Sequence, residues 1–444
     1  MNETLRIERM GYGADAVGRL EGGKTVFVEG GAPGDLAEVE VVEEKPNFCR
    51  ARIVGLQEAS PLRAKDAQPQ VGAPWAHLSY QAQLDAKREN VVGALVHTAH
   101  FDQARAEELV KPCLPSKREW GYRNKIELNA KRDAQGRFCL GFEREGTHEL
   151  VTPKSYPIAH APIAKVCTAL QGSLRYAQGS QDLGIHRVSV RHSQRTGELE
   201  VALWTTPGAF PRAMVAKTLG SAVHGATSIV RVLADPGPAR KIKGVEVLSG
   251  KGRWREELSG FSFEVTAPSF FQVNTEQAEK LVAEVVRALG GGVEEDEPYG
   301  LDELCVADLY SGCGTFSIPL SWAGAEVVAV ESASSSVRDL RRNAEENQVF
   351  VDVVGGDAAR ELPTLEGADA LVVDPPRSGL APEVVESTAK LGPKRVVYVS
   401  CDPSTWARDV ARFEASGYAL DRVQPVDMFP QTYHVELVSV LRRA

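Results

Sequence analysis

A cysteine follows an apolar run and precedes a helix-like stretch in VVYVSCDPSTWARDV, residues 396–410. Free cysteines are most often small buried hydrophobes. Cys401 instead sits in polar SCDP, at a strand end where a side chain is exposed. A thiolate there is a nucleophile, and a helix N-terminus or a substrate charge is expected to lower its pKa from about 8.5. A second group, Glu436, lies among apolar residues in TYHVELVSVL (432–441), which reads as the last strand. Burying a carboxylate is costly unless it is paired or works, so Glu436 is a candidate general base. His434 should share its face of that strand and reads as a structural or substrate contact.

Two further motifs end on strand-like runs. In CVADLYSGCGTFSIPLS (305–321) a strand stops at Asp308, a turn with Gly312 and Gly314 follows, and a helix is expected near Thr315. Glycines let a backbone approach a ligand, and helix N–H groups face it. Glu331 comes 23 residues after Asp308, at the end of EVVAVE, where an acid binds ribose hydroxyls. SGCGTF lacks the third glycine of GxGxxG, so the loop fits S-adenosylmethionine better than a nicotinamide cofactor. In VVDPPRSGL (372–380), Asp374 ends a strand and two prolines fix an extended turn that suits a planar base. Arg377 is placed to meet a phosphate.

These motifs need elements to hold them at one edge. VVAVESA, ADALVVDPP and KRVVYVSCD are short apolar runs ending in polar or proline residues, the pattern of buried parallel strands alternating with helices. That region is expected over 266–444, with GGGVEEDEPYG (290–300) as an exposed loop before its first central strand. Residues 1–59 read as short strands with GG and PGD turns, a small β-barrel of the oligonucleotide-binding kind. Between them, residues 60–265 read as α+β: a helix in AHLSYQAQLDAKRENVVGALVHTA, then hairpins around AQG, RTGE and ADPGPAR.

The 444 residues carry a net charge of −9, with 43% hydrophobic and 25% charged side chains. Residues 111–260 hold 24 basic against 13 acidic side chains, a local net of +11. Basic tracts such as SKREWGYRNK and RKIKG point to a polyanion in the middle of an acidic chain. No run reaches a membrane span, the charged start MNETLRIERM lacks a signal-peptide core, and a cytoplasmic monomer is expected. The seven cysteines form no CxxC pair, and no zinc or magnesium site is evident.

One reaction uses the whole set. Carbon 5 of uracil is a poor nucleophile until a thiolate adds to C6; C5 then takes a methyl group, and a base removes its proton. The chain resembles the RNA 5-methyluridine (uracil-C5) methyltransferases, in particular the ribosomal-RNA type with an N-terminal TRAM domain. MGYGADAVGRLEGGKTVFVEGGAPGD, SFFQVNTEQAEKL, DLYSGCGTFSIPL, VVDPPRSGL, YVSCDPSTWARDV and HVEL carry the likeness. The resemblance implies a TRAM barrel, an α+β RNA-binding region and a Rossmann-like S-adenosylmethionine domain. It implies Cys401 as nucleophile and Glu436 as base. Tyr310, Thr315, Glu331 and Asp357 would line the cofactor pocket. Gln272 would reach cofactor and uridine, with Asp374 between cofactor and base. Phe270 and Phe271 are expected to stack on nucleotides, with core packing an equal alternative for Phe271. The base would be flipped out of folded RNA.

Many relatives hold an iron–sulfur cluster in a run like C-x5-C-G-G-C. Here that stretch is KDAQPQVGAPWAHLSY, and the later position falls near Ser155–Tyr156. Cys49, Cys113, Cys139 and Cys167 have the wrong spacings, so no cluster is expected. Asp402 stands where Asn is common. DPPRSGL has no cysteine, unlike the cytosine-C5 enzymes, and Arg377 replaces the aromatic usual in exocyclic-amine enzymes. Ribosomal RNA is the expected substrate. The alternatives are a transfer-RNA uridine, methylation of another atom, an RNA-binding protein with a vestigial methyltransferase domain, or a nicotinamide oxidoreductase.

Overall fold

The computed structural model describes residues 2–65, 67–143, 149–179, 181–237, 241–290 and 300–444. Most of the expected loop over 290–300, and Arg240 of RKIKG, lie outside the described residues.

Strands Asn2–Met10, Ala16–Arg19, Thr25–Glu29, Leu36–Glu44 and Phe48–Glu58 close into a barrel. Closure removes the sheet edges that would otherwise invite pairing. Alternate residues such as Ile7, Val26, Val28 and Val39 fill the interior, and Trp75, Leu78, Ala82 and Ala86 complete its core from the next segment. Buried Asp35 accepts from the Arg63 guanidinium at 2.6 Å and from the Ala32 and Ser60 amides, fastening barrel to connector.

The middle of the chain forms a seven-stranded sheet from Lys125–Arg132, Phe138–Glu143, Leu150–Val151, Ile185–His192, Leu199–Thr205, Ser228–Ala234 and Ile242–Gly250. The three expected hairpins are present as antiparallel pairs. Ile126, Leu128, Val188, Val190, Val201 and Leu203 face the helix Ala161–Gln178, leaving the alternate positions on the other face.

A second seven-stranded sheet runs, in spatial order, Val351–Gly355, Glu326–Glu331, Cys305–Leu309, Ala370–Val373, Arg395–Ser400, Glu436–Arg443 and Tyr418–Val426. The first five are parallel and the last two antiparallel. Both faces are buried, which is why the strands read as continuous apolar runs. Helices Tyr80–His97 and Pro403–Ala415 cover one face and Thr275–Leu289 the other. The helix over 80–97 and the hairpin Trp254–Leu258 with Phe261–Val265, which sequence grouped with the central region, therefore pack on this C-terminal sheet. Strand order reverses between Cys305–Leu309 and Ala370–Val373, the switch point where such sheets hold ligands.

Candidate active site

Strand register brings the motifs into a row. Leu309 pairs with Val330 and Val373, Val373 with Tyr398, and Ser400 with Leu437. Glu331, Tyr310, Asp374, Cys401 and Glu436 therefore follow one another along the C-terminal edge of the parallel strands. One end of the row carries the glycine loop, the other the thiol and its neighbouring carboxylate.

Cys401 is half-buried between its strand and the helix Pro403–Ala415. Asp402 caps that helix, accepting from the Ser404 and Thr405 amides at 3.0 Å. The cap is the local reason for the sharp exit from the strand. Burial pushes the Cys401 thiol up to about 12, and Glu436, Asp374 and Asp402 add to the rise while Arg377 opposes it. In the free protein burial, and after it the nearby acids, thus act against the lowering expected from a helix terminus or a substrate charge. Glu436 is 5% exposed and opens the last strand. Burial, then Asp374, holds its carboxyl well above the usual range, with Arg377 again opposing. His434 precedes that strand rather than sharing its face. Its ring is kept neutral by burial, with a pKa of about 3, and its Nδ1 is buried without a partner.

The glycine loop has the form of a ligand cradle. Tyr310 sits at φ 62, a conformation costly for a non-glycine residue and typical of functional turns. Gly312 is at φ 57, and a Cβ there would meet nothing within 4 Å, so its backbone borders free space. Its amide donates to Glu331 Oε2 at 3.0 Å, while Ala333 N–H holds Oε1 at 2.6 Å. The Glu331 carboxylate is thereby fixed at its strand end. Asp308 is fully buried; Oδ2 accepts from Ser317 at 2.5 Å, but Oδ1 has no partner, nor has buried Ser311 Oγ. Burial pushes Asp308 up to about 7, with Glu331 adding to the rise, and Asp374 likewise to about 7, with Asp308 adding. Orphaned polar atoms are rare in folded proteins and mark an absent partner. A ligand carrying amino and hydroxyl groups fits them. The following helix starts at Ser317, two residues later than expected, and Thr315 is half-buried before it. Asp357 caps Ala358–Glu361 from an exposed position close enough to Tyr310 to raise its phenol.

Residues 3–54 match the TRAM domain model, and residues 364–444 match the tRNA (Uracil-5-)-methyltransferase model. An uncharacterized RNA methyltransferase of Gloeobacter violaceus is 34% identical over 99% of this chain and 96% of its own length. One of Lactobacillus johnsonii is 33% identical over 99% and 98%. The chain belongs to the uracil-5 RNA methyltransferases. Among solved structures, it is similar to the tRNA (uracil-54, C5)-methyltransferase of Pyrococcus abyssi in complex with S-adenosyl-L-homocysteine. That match has a TM-score of 0.74, 28% identity, and covers 98% of this chain and 99% of that one.

In this uracil-5 RNA methyltransferase a cavity of about 700 Å3 is lined in part by Arg377 and His434, from the segments that carry Asp374 and Glu436. Arg123, Lys125, Phe270, Arg377, Tyr433 and His434 are among its lining. Phe270 is 62% exposed, whereas Phe271 is 3% exposed and packs on Trp254 and Phe263. The pair divides: Phe271 is core, so only Phe270 is free to stack. Gln272 is buried, and its carbonyl accepts from Asn124 at 2.9 Å. Part of SKREWGYRNK is structural, since Ser116, Tyr122 and Asn124 are buried in it. Sequence reasoning missed Asp308 as a site residue, although its place in D-x-x-x-G-x-G was legible. It also missed Tyr433, which stacks on His434 at 4.2 Å. Cys49, Cys113 and Cys167 lie in three separate cores, and among the described residues no three metal-binding side chains gather.

Proposed function

We propose that this protein methylates carbon 5 of a uridine in RNA, with Cys401 as nucleophile and Glu436 as base. The observation that carries the reading is the Ser400–Leu437 pairing, which sets a thiol beside a buried carboxylate at the end of a sheet whose other end is a ligand loop. Glu331, the glycine loop and the unpartnered Oδ1 of Asp308 would hold S-adenosylmethionine, with Tyr310, Thr315 and Asp357 around it. Bound there, it supplies an electrophilic methyl on a sulfonium, whose positive charge favours ionised acids nearby.

Cys401 would give up its proton to water, and the thiolate would add to C6, moving the electron pair onto C5 and O4. C5 would then take the methyl group as its bond to the sulfonium sulfur breaks, leaving a neutral thioether. Glu436 then removes the C5 proton, the C5–C6 double bond re-forms, and the Cys401 thiolate leaves. Arg377 offsets the negative charge that gathers among Cys401, Glu436 and Asp374. Gln272 and Asp374 would orient the flipped base. Phe270 with Arg123, Lys125 and Arg377 would take the unpaired nucleotides and phosphates beside it, since stacking and cations serve single-stranded RNA.

Ribosomal RNA is the first reading of the substrate, by analogy with TRAM-bearing relatives; the Pyrococcus abyssi likeness favours a transfer RNA as the second. Either reading takes the chain as a cytoplasmic monomer. Among the described residues no helix is long and apolar enough to cross a membrane. The test is tritium release from uridine labelled at C5, in total RNA from cells lacking the protein, for wild type and Cys401→Ala. Release by the wild type alone supports both target atom and nucleophile. No release by the wild type overturns uracil-C5 chemistry. Mapping the product to ribosomal or transfer RNA chooses between the substrates.

A further inference from the structure

The barrel loop over 11–15 is clamped onto the catalytic body at three points. Asn90 Nδ2 donates to the Gly11 carbonyl at 3.3 Å, and Trp75 Nε1 to the Gly13 carbonyl at 3.0 Å. Between them the Tyr12 hydroxyl donates to the carbonyl of Cys401 at 3.3 Å, across 389 residues of sequence. The Tyr12 ring meets Tyr433 edge-on at 5.7 Å, and Tyr433 stacks on His434, two residues before Glu436. We propose that Tyr12 is a positioning residue for the nucleophile: the N-terminal barrel fixes the Cys401 peptide, and through Tyr433 braces the segment that leads to Glu436. The inference rests on Cys401 being the nucleophile.

The physical argument concerns the peptide that carries the thiol. Its preceding residue is fixed in the sheet, and its following residue is fixed by the Asp402 cap. The Cys401–Asp402 peptide plane between them is held at its N–H by Ser400 Oγ at 3.3 Å and at its carbonyl by the Tyr12 hydroxyl. Freeing that carbonyl lets the Cys401 Cα tilt at the strand end and carry Sγ with it, and reaction rates fall steeply with such displacement. Burial, then the charges of Asp402 and Cys401, keeps the phenol protonated, so it stays a donor while the thiolate forms. At 3.3 Å the contact is long for O–H···O, and catalytic contacts of this kind tighten when substrate binds. RNA gripped by the barrel would thus act on the nucleophile as well as on affinity.

The test compares full-length wild type, Tyr12→Phe and Tyr12→Ala. Tyr12→Phe keeps the ring and its packing while removing only the hydroxyl. It is expected to lower kcat roughly 2- to 13-fold, the worth of one hydrogen bond, with KM, RNA affinity and melting temperature unchanged. Tyr12→Ala should fall further. RNA bearing 5-fluorouridine isolates the step, because C5 then has no proton to remove and the Cys401 adduct accumulates. Its rate of formation should drop by the same factor in Tyr12→Phe. A Tyr12→Phe protein equal to wild type in kcat and adduct formation overturns the proposal. So does a defect confined to KM or RNA affinity, which would make Tyr12 an RNA contact. Wild-type protein that neither releases tritium nor forms an adduct sinks the uridine reading itself, a result distinct from both.

Discussion

Cys401, Glu436 and Asp374 share one half-buried space, and their protons are set by each other. With the thiol near 12, its ionised fraction in the free protein rises about tenfold per pH unit. kcat/KM should therefore climb with that slope between about pH 6 and 9. Arg377→Gln removes the opposing cation, so its profile should lie at higher pH and its rate should be lower throughout. Glu436→Gln should slow turnover roughly 10²- to 10⁴-fold while a methylated covalent adduct builds up on ordinary RNA, visible by denaturing electrophoresis. Asp308 gives a stability prediction. Its carboxyl sits near 7 when folded and near 4 when unfolded, so the folded state binds the proton more tightly. Stability is lost as pH rises from about 4 to about 7, and stays lost above. Asp308→Asn should melt closer to wild type at pH 4 and gain on it by pH 8, while its affinity for S-adenosylmethionine falls. A wild-type-to-variant difference that is flat across this range would falsify the assignment.

The segment before the last strand is held by a buried polar network on the helix Tyr80–His97. Lys87 Nζ pairs with Asp427, both fully buried, and also donates to the Phe429 carbonyl at 3.0 Å. The Tyr80 hydroxyl donates to the other Asp427 oxygen at 2.7 Å, and Gln83 exchanges two hydrogen bonds with Gln431. Residue 431 sits at φ 69, a turn that the network must stabilise. Removing one member of a buried pair leaves an uncompensated charge, a loss of about 3–5 kcal/mol. Lys87→Met is expected to lower the melting temperature by several degrees. It should also reduce turnover at temperatures where the variant is folded, because the loop carrying Tyr433, His434 and Glu436 loses its anchor. Lys87→Met with Asp427→Leu should recover stability more than turnover, as circular dichroism melts and tritium release would measure.

At the scale of the molecule, charge is divided by function. The chain carries −9 overall, yet residues 111–260 carry +11. Cations from that part, Arg123 and Lys125, line the same cavity as Phe270, Arg377 and His434. Binding that neutralises about five phosphates of unpaired RNA should weaken roughly 100-fold between about 50 and 200 mM salt. A flat salt dependence in filter binding would remove the central region from the RNA interface.

Strand ends, glycine turns and caps were readable in the chain because each is a local pattern: an apolar run, then a residue that stops it. Cys401, Asp374 and Glu331 were read as strand-end candidates that way, while Asp308 was read only as the end of a strand. The barrel and the three hairpins were readable too. The order of strands was not readable, since an apolar run specifies burial and not its partner; only pairing shows that Asp374 lies between Glu331 and Cys401. The different fates of Phe270 and Phe271 depend on which neighbour faces Trp254. The direction of the Cys401 shift in the free protein was not readable because its largest cause is burial, and after it come Glu436 and Asp374 from other strands. Tyr12 was invisible as a site residue for the same reason. Its type suits many positions, and its contact with the Cys401 carbonyl exists only because the barrel, connector and C-terminal sheet close on one another.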